Sequence, residues 1–128
     1  MVVLDTNILI DHLRRKKSID SVLSRFLQDN PNENIAISIL TIQELFTGQS
    51  SREPQIEQII FDLIDPYKKL EYSFQIAKLA GELSRDSKSQ PQFADAAIAA
   101  TCILNDAKLL TLNQKDFTGI KELEIIKN

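Results

Sequence analysis

Val2-Val3-Leu4, Ile35-Ala36-Ile37-Ser38 and Lys108-Leu109-Leu110-Thr111-Leu112 are short, nearly unbroken apolar runs, and the long stretches between them carry apolar residues at helical spacing. This alternation constrains the fold more than any other feature. Runs this short read as strands buried on both faces, and strands joined through helices pair in parallel by crossover connections. A fourth strand is expected over Leu123-Glu124-Ile125-Ile126-Lys127. The expected fold is α/β: a three-layer α/β/α sandwich with a mostly parallel central sheet of four to five strands.

The first helices are expected from about Ile8 to Arg15, through Ile19, Val22, Leu23, Phe26 and Leu27, and from the second strand to near Gly48. Three more follow, on Ile56 to Ile64, on Ile76 to Leu83 behind Ser73 as cap, and from about Ala94 to Asn105. At 128 residues the chain fits one domain, spanning 1–128, that buries roughly two thirds of its unfolded surface. No apolar run approaches the ~18 residues of a membrane span, and no basic stretch followed by a long apolar one opens the chain. It therefore reads as a cytoplasmic protein without membrane contact.

The single cysteine, Cys102, lies in an apolar stretch and reads as a buried small hydrophobe; the single histidine, His12, reads as a helix-surface side chain. With one of each, zinc-type ligand spacing is absent. The formal charge of −3 gives no global attraction for nucleic acid, so any such contact must be local. Arg14, Arg15, Lys16 and Lys17 form the one concentrated basic run, suited either to phosphate contact or to the carboxyl-terminal end of a helix. Lys68 and Lys69 form a smaller cluster.

In open parallel sheets the functional crevice lies beyond the carboxyl ends of the strands. Asp5 follows the first strand, Glu44 sits a turn into the helix after the second, Asn113 follows Leu112, and Asp116 comes three residues later. Asp95 opens the helix that leads into the Lys108 run. Singly these acids have structural explanations: Asp5 and Asp95 suit helix starts, Thr41 to Glu44 matches a capping box, and Asp116 suits a turn. Together they imply a cation. Two carboxylates ~4 Å apart repel by about 4 kcal/mol at an effective dielectric of 20, and an all-oxygen site without Cys or His suits magnesium, with manganese also fitting. The chemistry indicated is metal-assisted hydrolysis of a phosphodiester.

Leu4-Asp5-Thr6-Asn7-Ile8-Leu9-Ile10, Ser38 to Gly48, Phe93 to Ile103 and Leu109 to Phe117, in that order, resemble the motif set of PIN-domain ribonucleases, and the length resembles the toxin of VapBC toxin–antitoxin pairs. The resemblance implies an Mg2+- or Mn2+-dependent endoribonuclease. Asp5, Glu44 and Asp95 would be its acidic metal ligands, Thr6 and Asn7 would support Asp5 by hydrogen bonds, and Thr111 would organise the rim. Where the family often has a fourth acid this chain has Asn113, so Asp116 or a water-bridged Asn113 would stand in.

The resemblance also implies an RNA substrate, a homodimer formed through amphipathic helices, and a small antitoxin that blocks the acidic crevice with a basic side chain. The alternative is a catalytically degenerate PIN-like module that binds RNA or protein. A haloacid-dehalogenase-like phosphatase would show Asp-x-Asp where this chain has Asp5-Thr6-Asn7, and a receiver domain would show adjacent acids.

Overall fold

The computed structural model describes residues 1–127. Its four strands, β1 (Val2–Leu4), β2 (Ile35–Ser38), β3 (Lys68–Leu70) and β4 (Lys108–Leu110), form one parallel sheet in the order β3-β2-β1-β4. Six helices connect them: α1 (Thr6–Arg14), α2 (Val22–Asp29), α3 (Ile39–Thr47), α4 (Pro54–Ile64), α5 (Phe74–Asp86) and α6 (Phe93–Leu104). The α/β sandwich is as expected.

Side-chain alternation along the strands builds both interior layers. Val3, Ala36 and Leu109 face α5 and α6, whereas Val2, Leu4, Ile35, Ile37 and Leu110 face α1 to α4. Because both faces are covered, β1 is buried along its whole length, which is why it carries no polar residue. Alanines at 96, 97, 99 and 100 let α6 lie close against the sheet. Cys102 is buried there as expected, and burial pushes its thiol up to about 12, where it is inert as a nucleophile.

The basic-cluster reading of Lys68 and Lys69 and the strand expected at Leu123 to Lys127 need correction. Lys68-Lys69-Leu70 is an edge strand, and its lysines are a device against pairing with another sheet edge rather than a free basic cluster. Lys69 Nζ donates to the carbonyls of Ile64 (2.7 Å) and Asp65 (3.0 Å), closing the last turn of α4. Leu123 to Lys127 supplies only a single bridge, Leu109 to Ile125, with Ile126 N donating to Leu109 O. His12 also departs from a simple surface role. It is half-buried, its Nδ1 lies 2.7 Å from the buried Ser21 Oγ that caps α2, and burial lowers its pKa.

The strand order fixes the place of the site. The chain steps outward from β1 to β2 to β3, then returns to the other side of β1 with β4. The order therefore reverses between β1 and β4, and a crevice opens at their carboxyl ends.

Candidate active site

Asp5 ends β1 and caps α1, so a fully buried strand and a helix start together fix its direction. Its backbone N–H donates to Leu110 O (2.9 Å), tying it to β4. The carboxylate is only 7% exposed and accepts three hydrogen bonds. Oδ1 takes one from Thr6 N (2.8 Å); Oδ2 takes one from Thr111 Oγ1 (2.7 Å) and one from Asn7 Nδ2 (3.2 Å). Burial nevertheless raises its pKa, against the lowering effect of the Thr111 and Thr6 bonds, and Glu44 and Asp116 raise it further.

Neighbouring contacts lock this arrangement. Asn7 Oδ1 accepts from Leu112 N (3.1 Å), and Thr111 Oγ1 accepts from Asn113 N (3.0 Å), so the rim after β4 is folded onto α1. Thr6 Oγ1 donates to Glu44 Oε1 (2.7 Å) and exchanges a hydrogen bond with Thr41 Oγ1 (3.0 Å), drawing α3 toward Asp5. The capping-box reading of Thr41 and Glu44 is thereby corrected. Ser38 caps α3, its Oγ accepting from Leu40 N, and Thr41 is a fully buried partner of Thr6. The sequence signal was present, a hydroxyl one turn before Glu44, but the capping pattern offered a simpler explanation.

Asp95 stands in the first turn of α6, whose cap residue Gln92 makes no side-chain cap bond. Among the described residues the Asp95 carboxylate accepts no hydrogen bond. Burial pushes its pKa up to about 6, helped by the charges of Asp5, Asp116 and Glu44. Asp116 is exposed on the short 3₁₀ turn Gln114–Phe117, within electrostatic reach of both Asp5 and Asp95. Asn113, at the start of that turn, contributes its backbone N–H to Thr111 and no side-chain cap.

The structure thus groups Asp5, Glu44, Asp95 and Asp116 with Thr6, Asn7 and Thr111. Among the described residues none of the four acids pairs with a cation. The basic run lies elsewhere. Arg14 ends α1, roughly 14 Å along the helix from Asp5. Arg15 is held by Asp11 at 3.0 Å, and Lys16 and Lys17 are exposed beyond it.

The raised Asp95 pKa has a testable sign. A carboxyl whose folded pKa lies near 6 against 3.8 unfolded favours folding below 3.8 and loses that contribution as pH rises through about 6. In chelator at neutral pH, Asp95→Asn is expected to be more stable than the parent by about 1 kcal/mol, after allowance for solvent screening. Denaturant unfolding across pH should show the gap closing as Asp95 becomes protonated; a gap that ignores pH contradicts this.

Comparison with known proteins decides the family. The PIN domain family matches residues 2–123. The chain is a PIN domain. This PIN domain is 32% identical to ribonuclease VapC19 of Mycobacterium tuberculosis over 97% of its own length and 98% of that protein's. Its fold superposes on VapBC2 of Rickettsia felis, solved bound to a promoter DNA fragment, with a TM-score of 0.82 and 25% identity over 98% of each chain. VapBC-1 of Haemophilus influenzae gives 0.79 and 28%, covering 99% and 98%.

Proposed function

We propose that this PIN domain is a divalent-metal-dependent endoribonuclease acting as the toxin of a toxin–antitoxin pair. One observation carries the reading: four carboxylates from four separate segments gather at the strand-order reversal, and no protein cation among the described residues offsets them. The kinship with VapC19 supports RNA as substrate, and the VapBC complexes support an antitoxin partner.

The donor set fits a hard divalent cation, magnesium first and manganese second. Among the described residues no three His, Cys, Asp or Glu side chains stand close enough to grip one ion together. An ion here would therefore take Asp5 or Asp95 directly and reach Glu44 and Asp116 through water, in keeping with magnesium's habit of retaining waters. Such an ion, when bound, supplies a more acidic water and offsets charge on a phosphodiester. The chain's own residues do the positioning. Thr111, Asn7 and the Thr6 N–H aim Asp5 and favour its charged form against the effect of burial, Thr6 holds Glu44, and the unpartnered Asp95 keeps its lone pairs for the ion. With an amide at Asn113, Asp116 is the acid that this turn would offer as the fourth group.

An antitoxin has a seat beside this site. Ile10, Leu13, Ile56, Ile59 and Ile60 line an apolar groove of about 280 Å³ whose rim carries Glu44 and Arg14. An apolar segment lying there would place a basic side chain against the carboxylates. A homodimer contact is assigned to the α5–α6 face, where Phe74 and Phe93 are 79% and 75% exposed beside a hollow lined by Ala77, Ala80, Gly81 and Ala96.

The test is cleavage of a mixed RNA pool by purified protein with magnesium or manganese against a chelator control, with Asp5→Asn guarding against contaminating nuclease. Metal-dependent cutting by the parent alone is expected. Inertness of a well-folded sample in every metal would favour the binding-module alternative instead.

A further inference from the structure

On the β4 side of the acidic crevice, away from the apolar groove, lies a second cavity of about 320 Å³ whose lining is mostly polar, with Pro91 as its apolar member. One wall is the loop between α5 and α6, with Ser89, Gln90 and Gln92; the other is the 3₁₀ turn, with Lys115. Asp95 and Asp116 form the edge it shares with the site described above. Among the described residues the side chains of Ser89, Gln90, Gln92 and Lys115 make no hydrogen bond or ion pair, so all four are free to serve a ligand. Gln90 is held at φ 43°, in the left-handed region that residues with side chains rarely adopt. Gly119, just after the turn, adopts φ +89°, which a residue with a side chain rarely does, and lies near Ser89 of the facing loop.

We infer that this cavity is the subsite for the nucleotide next to the scissile phosphate, with Gln90 and Gln92 reading its base and Lys115 holding its outer phosphate. The inference rests on the nuclease reading and extends it to sequence choice. A volume near the lower end for ligand sites, roughly 300–1,000 Å³, suits one nucleotide unit rather than a larger body. Polar walls exclude an apolar ligand. Primary amides both donate and accept, which is what bidentate pairing with a base edge requires, and a single ammonium group suits one phosphate. Adjacency to Asp95 and Asp116 puts that nucleotide beside the reacting bond. Phosphate contact positions the strand, and amide contact specifies it.

The experiment uses the full chain with magnesium or manganese on a randomised RNA pool, sequencing the cut ends, followed by kinetics on an oligonucleotide of the preferred sequence. Gln90→Ala and Gln92→Ala are expected to relax base preference at one position beside the cut by about tenfold, through slower cutting of the preferred sequence. Lys115→Ala should raise KM about fivefold and reduce the salt slope by about one, with kcat nearly unchanged, and Lys115→Arg should restore both. Lys121→Ala, outside the cavity, should behave as the parent. A parent that cuts while all these variants keep its site preference, KM and salt slope overturns the subsite and leaves the nuclease reading standing. A parent that does not cut overturns both. Variants that lose partner-protein binding but cut normally assign the cavity to a protein contact, and overturn the inference as well.

Discussion

Asp5→Asn is expected to lower RNA cleavage by about 100- to 1,000-fold, the scale of removing one well-placed electrostatic group from a catalytic centre. Asp5 is the acid most rigidly held, with a buried strand behind it and three donors on its two oxygens. Neutralising it removes charge where an ion would bind, and Asp95, with no donor holding its carboxylate, would be a less firmly placed substitute. Thr111→Val is expected to cost less, about 10- to 100-fold, because it loosens Asp5 without discharging it. Single-turnover rates at saturating metal would check both values. Activity of Asp5→Asn within tenfold of the parent would remove Asp5 from the mechanism.

Stability should distinguish the buried Asp5 from the partly buried Asp95. Asp95 has no hydrogen bond among the described residues to lose, so its asparagine variant gains from relieved repulsion. Asparagine at position 5 keeps only one acceptor oxygen and leaves a Thr6 or Thr111 donor unmatched, a cost of about 1–3 kcal/mol that cancels the relief. Charge counting alone treats the two substitutions as equivalent; the hydrogen bonds separate them.

Ile59→Asp is the second large effect. Ile59 is 50% exposed on α4 at the apolar groove, so the fold tolerates a polar residue there, while an apolar partner segment would have to desolvate the new carboxylate. Affinity for the antitoxin proposed above, measured by titration calorimetry, should fall by at least about 100-fold, as for a substitution at an interface hot spot. RNA cleavage by the variant alone should match the parent. Unchanged affinity would move the partner off this groove.

Much of this arrangement was readable in the residues themselves. Val2 to Leu4 and Ile35 to Ser38 are wholly buried strands, and nothing but a parallel sheet covered on both faces accounts for such runs joined by helices. Ser73 caps α5 as its position suggests. Lys68-Lys69-Leu70 was not readable as a strand because an edge strand is defined by its neighbour's hydrogen bonds, and two lysines carry no alternation signal. Leu123 to Lys127 has the opposite fault, strand-like residues whose pairing ends after one bridge. At the site, the acids were visible from their places after strands and at helix starts. The tie from Thr41 through Thr6 to Glu44 was not, since which hydroxyl meets which depends on the packing of α1 against α3. The same limit hid Ser89, Gln90, Gln92 and Lys115, ordinary surface residues until two loops bring them together.

The bond from Thr111 to Asp5 joins residues 106 positions apart. During translation, the amino-terminal helices can form long before residue 111 leaves the ribosome, but Asp5 has then lost neither its water nor its freedom to turn. A chain interrupted between Asp95 and β4 carries every acid of the site but Asp116 and still lacks the clasp that aims the first of them. An unfinished copy therefore lacks an aimed Asp5 until β4 has emerged, and a partner that blocks the site needs to meet only copies in which this bond has formed.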